Sequence, residues 1–591
     1  RLQRATIDPI RQGFDTQGLP GEQSLNQAGV WKRSRNDWEL GGGQREADTV
    51  QSQDRQFYQS TGVDVWTKNE LTLLPKVGEK RDDSATNQLM ATAYDGTNYY
   101  IYVTDGDQVY SSTDIGATWN DWTETSVNPS TITGIASDGK YAYVCSSTAI
   151  YRIYQNEVGA DVLDGTNRYW SLTNVDGVWV ANGYLIASAN ERLVTVPTGE
   201  AISTDHDITP ATFNQVETWT SVIGTPVGIF AAGYKGSQSR VYYIGINDST
   251  GGLLPPVIAA ELPVGETANV LSYYGGLVCI GTSRGIRLAT INGAGYLSYG
   301  PVVEISGGVS LFETQGEFIW FNWDNYESPF DATSRTGLGR LGLSEFTETL
   351  VPAYASDLMA TTTGVIQGIV TTSDNRRMFS VSSGGVYLEN ASDEAKELTG
   401  TIDEGRFRWG ITELKAAVSV DLRHNSLAAG ESVVVKVVDD SDVTTTIVTS
   451  DTDATVTPGL KSISSVTGEW LSPQITLTQT ATDGSTPTLK RWTLRAIPMP
   501  YAAEVIALPI ILTTQTHYDR RDIYQDTLSE YQYLKSLLED RSLVTFEMGG
   551  ESSTVYVAGL SYQPGDVAKW SDDNDWFEGV LTVQVVTVQG T

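Results

Sequence analysis

The chain is 591 residues long, and because single hydrophobic cores stop growing at roughly 250–300 residues it should divide into about three or four domains. Its 72 acidic against 39 basic side chains leave a formal net charge of −33, which repels a phosphate backbone or an anionic lipid face and argues against nucleic acid as a partner. The 2 cysteines are too few for a disulfide scaffold and point to folding in a reducing cytoplasm, and no run of about 18 apolar residues is present for membrane insertion.

Residues 1–60, with Pro9, Pro20 and many Gln and Gly, hold neither a period of 2 nor one of 3.6 and read as an extended N-terminal arm. Trp31, Trp38 and Phe57 are costly to leave in water, so the arm is expected to dock on a neighbouring subunit. The N-terminus is polar, unlike a signal-peptide core. It starts at Arg1 rather than methionine, and residues before it are expected to have been removed or to lie outside this numbering.

Residues 61–399 are rich in Val, Ile, Thr and Tyr, which suit a pleated surface, and one unit of strand, polar turn and strand recurs along them. Seven copies have first strands centred on Leu89, Ile135, Val178, Val227, Val270, Val309 and Ile369. The turns, among them Asp95-Gly96-Thr97-Asn98, Ser137-Asp138-Gly139-Lys140, Asn182-Gly183 and Gly275-Gly276, offer residues that tolerate positive φ. Following strands such as Tyr99–Val103, Val241–Ile244 and Phe318–Phe321 are apolar on both faces and need cover on both. A mostly β chain with a β-propeller of about seven blades answers that need. The wide step from Val309 to Ile369 has room for an insertion or an eighth partial blade, and Val63 to Leu74 is the candidate strand to close the ring.

Within the first copy, Ser112-Thr113-Asp114-Ile115-Gly116-Ala117-Thr118-Trp119 matches every position of S-x-D-x-G-x-[ST]-W and resembles the Asp boxes of sialidase-like propellers. The resemblance implies a structural hairpin: Ser112 and Asp114 satisfy turn amides, Gly116 and Thr118 complete the motif, and Trp119 packs between strands.

The repeat ends near Gly400. Alternating strands around Leu414 to Leu422, Ser432 to Val438 and Trp470 to Leu477 predict a β-sandwich over residues 400–500. In residues 501–591 a strand at Leu508 to Thr513 precedes a helix over Ile523 to Asp540, with Tyr524, Leu528, Tyr531, Leu534, Leu537 and Leu538 at helical spacing. Strands at Leu543 to Phe546, Thr554 to Leu560 and Val580 to Val588 complete a small α/β terminal module for assembly.

Several short segments together resemble minor tail proteins of long-tailed phages of actinobacteria. They include Asp8-Pro9-Ile10-Arg11-Gln12-Gly13, Leu19-Pro20-Gly21-Glu22, Gly41-Gly42-Gly43-Gln44, Phe57 to Trp66, Arg408 to Lys415, Val420 to His424 and Leu508 to Leu512. The resemblance implies a structural virion component at the tail tip, made in the host cytoplasm, serving tail assembly and host adsorption. It implies contacts with other tail proteins, closed homo-oligomeric symmetry with threefold as the expected number, and a host-envelope glycan as an outward ligand.

The residues offer little for catalysis, and the chain is expected not to be an enzyme. His206, His424 and His517 are dispersed, which argues against a triad or a multi-histidine zinc site. Cys145 and Cys279 fall at comparable strand positions three repeats apart and are expected to be buried free thiols. Asp572-Asp573-Asn574-Asp575 has oxygen ligands for calcium but lacks EF-hand spacing and reads as a solvated acidic loop. No catalytic, cofactor-binding or metal-ligating residue is assigned, and no cofactor is expected. Two rivals are a sialidase-like glycosidase, which needs paired carboxylates and an arginine cluster at the propeller mouth, and a glycan-binding propeller without hydrolysis.

Overall fold

The computed structural model describes residues 31–47, 56–81, 88–122, 131–154, 169–197, 206–210, 213–247, 249–327, 330, 334–346, 351–360, 362–382, 384–391, 394–410, 414–450, 460–462, 466–480, 486–498, 505–513, 515–518, 521–524, 526–540, 542–548, 550–564 and 578–587. Strands dominate, and Thr527–Asp540 is the one helix among the described residues.

Seven four-stranded antiparallel sheets follow one another along the chain. Sheet one holds Met90–Tyr94, Tyr99–Asp105, Gln108–Ser112 and Asn120–Trp122, and sheet two Ile132–Ser137, Ala142–Ser146, Ala149–Ile153 and Tyr169–Ser171. Sheet three holds Val175–Ala181, Tyr184–Ala189, Arg192–Pro197 and His206–Asp207, and sheet four Thr218–Thr225, Gly228–Lys235, Gln238–Ile244 and Val257–Glu261. Sheet five holds Ala268–Tyr274, Leu277–Thr282, Gly285–Ile291 and Leu297–Glu304, and sheet six Phe312–Gln315, Phe318–Glu327, Ser334–Phe346 and Pro352–Met359. Sheet seven takes Ile366–Thr371, Arg377–Val381 and Gly385–Glu389, with Val77–Arg81 from far upstream as its outer strand.

Turn chemistry explains the hairpins. Asp95 Oδ1 accepts bonds from the amides of Thr97 and Asn98, both at 2.7 Å, and Asp138 Oδ1 does the same for Lys140 and Tyr141 at 2.8 and 2.7 Å. The second strands are buried on both faces, as their unbroken apolar runs require. In Ala142–Ser146, Ala142 and Val144 join a core with Tyr100 and Tyr102 of sheet one, while Tyr143 and Cys145 join one with Val178 and Leu185 of sheet three. First strands pack on one another in sequence, sheet one on two, onward to sheet seven, and sheet seven back on sheet one. The result is a propeller-like β fold.

A second repeat is invisible to hydrophobic patterning. The first strand of five of these sheets is bulged at one place, at Ile132/Gly134, Val175/Gly177, Trp219/Ser221, Ala268/Val270 and Ile366/Gly368. In two of them the extra residue donates a bond to a carbonyl of the next sheet, Thr133 Oγ1 to Val175 O at 3.2 Å and Thr220 Oγ1 to Ala268 O at 2.8 Å, and in a third Asn269 Nδ2 donates to Val309 O at 3.1 Å, just ahead of sheet six.

Several expectations are corrected. Val227 lies in the turn between Thr218–Thr225 and Gly228–Lys235, not on a first strand, because Thr225-Pro226-Val227-Gly228 lacks an Asn or Asp and was outweighed by the Lys235-Gly236 turn one hairpin later, and Val309 likewise lies on no strand, three residues before Phe312–Gln315. Val63–Asp64 and Thr72–Leu73 pair only with each other, and the strand that completes sheet seven is Val77–Arg81. The long strands Phe318–Glu327 and Ser334–Phe346 take up much of the wide step after Val309, and no further sheet occupies it among the described residues.

Two five-stranded sheets include the region after Gly400, and both draw in N-terminal chain. One orders Trp31–Arg35, Leu489–Pro498, Lys415–His424 and Leu460–Ser462, with Thr467–Gly468 also on Lys415–His424. The other orders Gln59–Thr61, Thr399–Asp403, Ser472–Thr478, Ser432–Val438 and Thr444–Ser450. The arm is therefore not a separate element over its described part: Trp38 and Phe57 are fully buried within this chain and need no neighbouring subunit. The glycine run contributes to this. Gly41 and Gly43, at φ +73° and +109°, lie so close to Tyr354 that an added Cβ would sit 2.5 Å from it, and the Gly42 amide donates to Tyr354 O at 2.7 Å.

The C-terminal unit, described by itself, is a sheet of order Val505–Leu512, Gly579–Thr587, Glu551–Pro564 and Leu543–Met548. Tyr531, Leu534, Leu537 and Leu538 of its helix pack on the sheet core of Val557, Leu581 and Val583. Tyr524 belongs to the hairpin Gln515–Tyr518 with Arg521–Tyr524, because Asp526 caps the helix and starts it late, accepting from Ser529 N at 3.1 Å and Ser529 Oγ at 2.6 Å.

Candidate functional site

The Asp box forms a self-contained turn. Ser112 Oγ donates to Asp114 Oδ1 at 2.8 Å and accepts from Gly116 N at 2.8 Å, while Asp114 accepts from Thr118 N at 2.9 Å and Thr118 Oγ1 at 2.6 Å. Partial burial raises the Asp114 carboxyl, but the bonds from Thr118 and Ser112 outweigh it and hold the group below its ordinary value. Gly116 has φ +78°, and a Cβ there would stand 3.1 Å from Met378 Cε and 3.3 Å from Lys80 Cβ. Trp119 packs with Met90, Ile101, Val370, Met378 and Leu388. The five motif residues are thus brought together at the seam of sheets one and seven, where Arg81 of the closing strand also pairs with Asp105 at 3.2 Å.

A second centre, not read from the sequence, lies where sheets six and seven meet. Arg340 and Asp357, on adjacent strands of sheet six, form a buried ion pair, and Arg377 pairs with Glu389 at 3.4 Å across sheet seven. Aromatic rings cover the cations. Arg340 lies 5.0 Å from the Trp320 centroid and 5.1 Å from Phe318, and Arg377 lies 4.4 Å from Trp320. Burial pushes the Asp357 carboxyl up to about 6 although Arg340 opposes the shift, and burial likewise raises Glu313. These two arginines are engaged by carboxylates and roofed by rings, unlike the open cationic mouth that the glycosidase rival requires.

Beside this cluster opens a cavity of about 330 Å³, bounded by Thr61, Lys76, Arg335, Asp357, Thr363 and Glu397 among others. A third carboxylate, Glu404, is fully buried where the arm joins the five-stranded sheets. Its Oε1 accepts from Trp38 Nε1 at 2.9 Å and Trp492 Nε1 at 2.7 Å, and its Oε2 pairs with Arg35. Every polar group there is engaged, which makes it a structural joint.

The remaining candidates stay apart. His206, His424 and His517 lie on three different strands, and among the described residues no three His, Cys, Asp or Glu are placed to hold a metal. Cys145 and Cys279 are free and buried, on the second strands of sheets two and five, and burial pushes both thiols up to about 12. Asp572-Asp573-Asn574-Asp575 lies outside the described residues. No described helix is long and apolar enough to cross a membrane.

No protein-family profile and no curated protein matches the sequence. Among solved structures, the fold is similar to the extracellular domain of a protein described as a one-component system from B. thetaiotaomicron, at 14% identity over 64% of this chain and 48% of that one, with TM-score 0.38. It is also similar to a dihydro-heme d1 dehydrogenase (10% identity, 67% and 79% covered, TM-score 0.32) and to a protein described as a 6-phosphogluconolactonase from Bacteroides uniformis (12%, 50% and 90%, 0.34). The chain spans about half the length of the first of these, and at such scores the similarities carry nothing about activity.

Proposed function

We propose that this chain is a structural minor tail protein of a bacteriophage virion, placed at the tail tip, where it serves tail assembly and host adsorption without enzymatic activity. Its seven sheets are the blades of a closed seven-bladed β-propeller, and its two five-stranded sheets are the leaves of a β-sandwich. The observation that carries the reading is the circuit of first strands, which returns from sheet seven to sheet one and is completed by the upstream strand Val77–Arg81. A ring closed by its own N-terminal chain is stiff and leaves few free edges, the properties a platform in a large assembly needs.

The threading of Trp31–Arg35 and Gln59–Thr61 into the five-stranded sheets supports the same reading, because it couples the platform to its mount. So do the large apolar side chains that the C-terminal unit leaves in water, Ile511 at 73%, Leu543 at 62% and Tyr533 at 61% exposure, which suit burial against another subunit. Its partners are other tail proteins and copies of itself under closed symmetry, threefold at a tail tip, with a host-envelope glycan met by the outward face. Cryo-electron microscopy of virions assembled from the genome that encodes the chain is expected to place it at the tail tip, with the C-terminal unit buried against neighbours. Absence of the chain from purified virions, with the protein free and monomeric, would overturn the reading.

A further inference from the structure

Charge is spread unevenly over the sheets. Bonds between successive turns, Tyr94 N to Gly139 O at 2.7 Å, Asn182 Nδ2 to Thr225 O at 3.0 Å and Tyr274 OH to Gly316 O, bring the turns that join first to second strands to one common end. The arm takes the other end, where Thr61 Oγ1 donates to Tyr326 OH of sheet six at 3.2 Å. At the turn end of sheets four and five, segments 225–228, 245–257, 274–277 and 292–297 contain a single charged residue, Asp248, in a chain of net charge −33. Ion pairs of the same two sheets, Arg240 with Glu261 at 2.7 Å and Arg284 with Glu304 at 3.3 Å, stand toward the opposite end.

The uncharged end is apolar and aromatic instead. Val227, Leu254, Val257 and Tyr296 are exposed there, Tyr296 to 59%, and they gather about the ring of Tyr243. Tyr243 OH donates to Val227 O at 2.8 Å, and Val257 is its partner on the neighbouring strand. A Cβ on Gly245 would stand 3.2 Å from Leu254 Cδ1 and 3.6 Å from the Tyr243 ring, and one on Gly295, beside Tyr296, 2.7 Å from that ring. Each loop is held by its own asparagine: Asn247 Oδ1 accepts from Ser249 N at 2.9 Å, and Asn292 Oδ1 from Ala294 N and Tyr296 N at 3.0 and 2.9 Å. The surface is therefore preformed, and a ligand meets it without having to order a loop.

An uncharged apolar surface selects an uncharged partner, since a charged group would give up hydration here with no counter-charge to replace it. Four exposed apolar side chains fall well short of the roughly 20–30 residues a side of a stable protein interface, but they suit a ligand of one or two rings. Tyrosine offers such a ligand a flat face for its C–H groups and a phenol for its hydroxyls, and Asn292, its Oδ1 taken by the loop amides, offers Nδ2 as a donor.

We propose that this end of sheets four and five binds neutral sugar residues of a host-envelope polysaccharide, one ring stacking on Tyr296 and packing against Leu254 and Val227. The choice of a host polysaccharide rests on the adsorption role of the tail reading.

The test uses the full chain against immobilised neutral glucan, galactan, mannan and arabinan oligosaccharides, with sialylated and sulfated glycans alongside. Tyr296→Ala and Leu254→Ala remove exposed side chains and are expected to fold as the wild type does. Binding of at least one neutral class is expected, weakened by about tenfold or more in Tyr296→Ala and by less in Leu254→Ala. Tyr94→Ala, which removes a comparably exposed tyrosine from sheet one, is expected to leave binding unchanged. No binding to any neutral class, binding to acidic glycans alone, or equal loss in Tyr94→Ala overturns the site. So does sedimentation of the wild type as a dimer that Tyr296→Ala dissociates, with no glycan bound, which would give the surface to a second copy of the chain. The two readings fail separately: a chain at the tail tip that binds no neutral glycan sinks the site alone, and a chain absent from virions that still binds one sinks the tail reading alone.

Discussion

Two carboxylates hold two regions of the molecule together, and they do so by opposite means. Asp114 at the seam of sheets one and seven is solvent-exposed, and its hydrogen-bond partners Ser112 and Thr118 lie within four residues of it. Glu404 is fully buried, and it is satisfied by Arg35, Trp38 and Trp492 from three distant parts of the chain. A local hub folds with its own hairpin and shapes one turn. A long-range hub exists only once the arm has threaded the five-stranded sheets, so its energy reports on the whole joint.

The contrast breaks most sharply at Glu404. Glu404→Ala strands Arg35 and two indole N–H groups in a dry interior, and the loss of one partner of a buried ion pair costs about 3–5 kcal/mol. Calorimetry of the full chain should show that loss, and a change under about 1 kcal/mol would mean that water reaches the site and that the joint is not the long-range hub described.

Asp357 sharpens the comparison from a third direction, being buried like Glu404 but incompletely bonded. Its carboxyl is raised by burial to about 6 in the folded chain, against an ordinary value of 3.8. A raised folded value means stability that is fully present below about 4 and is lost as pH rises through about 6. The stability difference between wild type and Asp357→Asn, which cannot titrate, is therefore expected to move against the wild type across that interval. A difference that is flat between those limits would place the carboxyl in a wetter setting than the burial implies.

Asp114→Ala should be milder. The bonds it loses are to a charged acceptor, but the group stands in water and the turn amides can be rehydrated, so about 1 kcal/mol is expected, in thermal unfolding of the full chain. An effect as large as that of Glu404→Ala would mean that the seam, and not the turn, depends on the box.

These two hubs also mark what could be read from the residues. The Asp box was legible because its chemistry lies within eight consecutive positions, and the hairpin turns for the same reason, Asp95 and Asp138 binding amides two and three residues ahead. The buried second strands were legible because an apolar run needs no partner to be recognised. Glu404, Arg340 and Asp357 were not, since a single charged letter in a strand is the same whether its partner is water or an arginine brought by another strand. The closing strand was missed because Val77–Arg81, reading Val-Gly-Glu-Lys-Arg, is an edge strand with one apolar residue, and polar edge strands carry little hydrophobic signal.

The smallest expected effect concerns seams held without any charge. Cys145 and Cys279 lie fully buried on second strands, where Cys145 shares a core with Val178 and Leu185, and Cys279 with Ile286 and Val309. Burial holds both thiols up near 12, so at pH 8 almost no thiolate exists to react, and the rings of sheets on either side exclude reagent. Iodoacetamide is expected to leave both cysteines unmodified in the folded chain and to label both after denaturation, as read by intact mass. Labelling of Cys145 but not Cys279 in the native state would show the packing between sheets two and three opening alone. Gly134, beside the bulged Thr133, is the tight point of that packing, because a Cβ there would come within 2.9 Å of Cys145 Sγ, and only the missing side chain leaves room for the thiol.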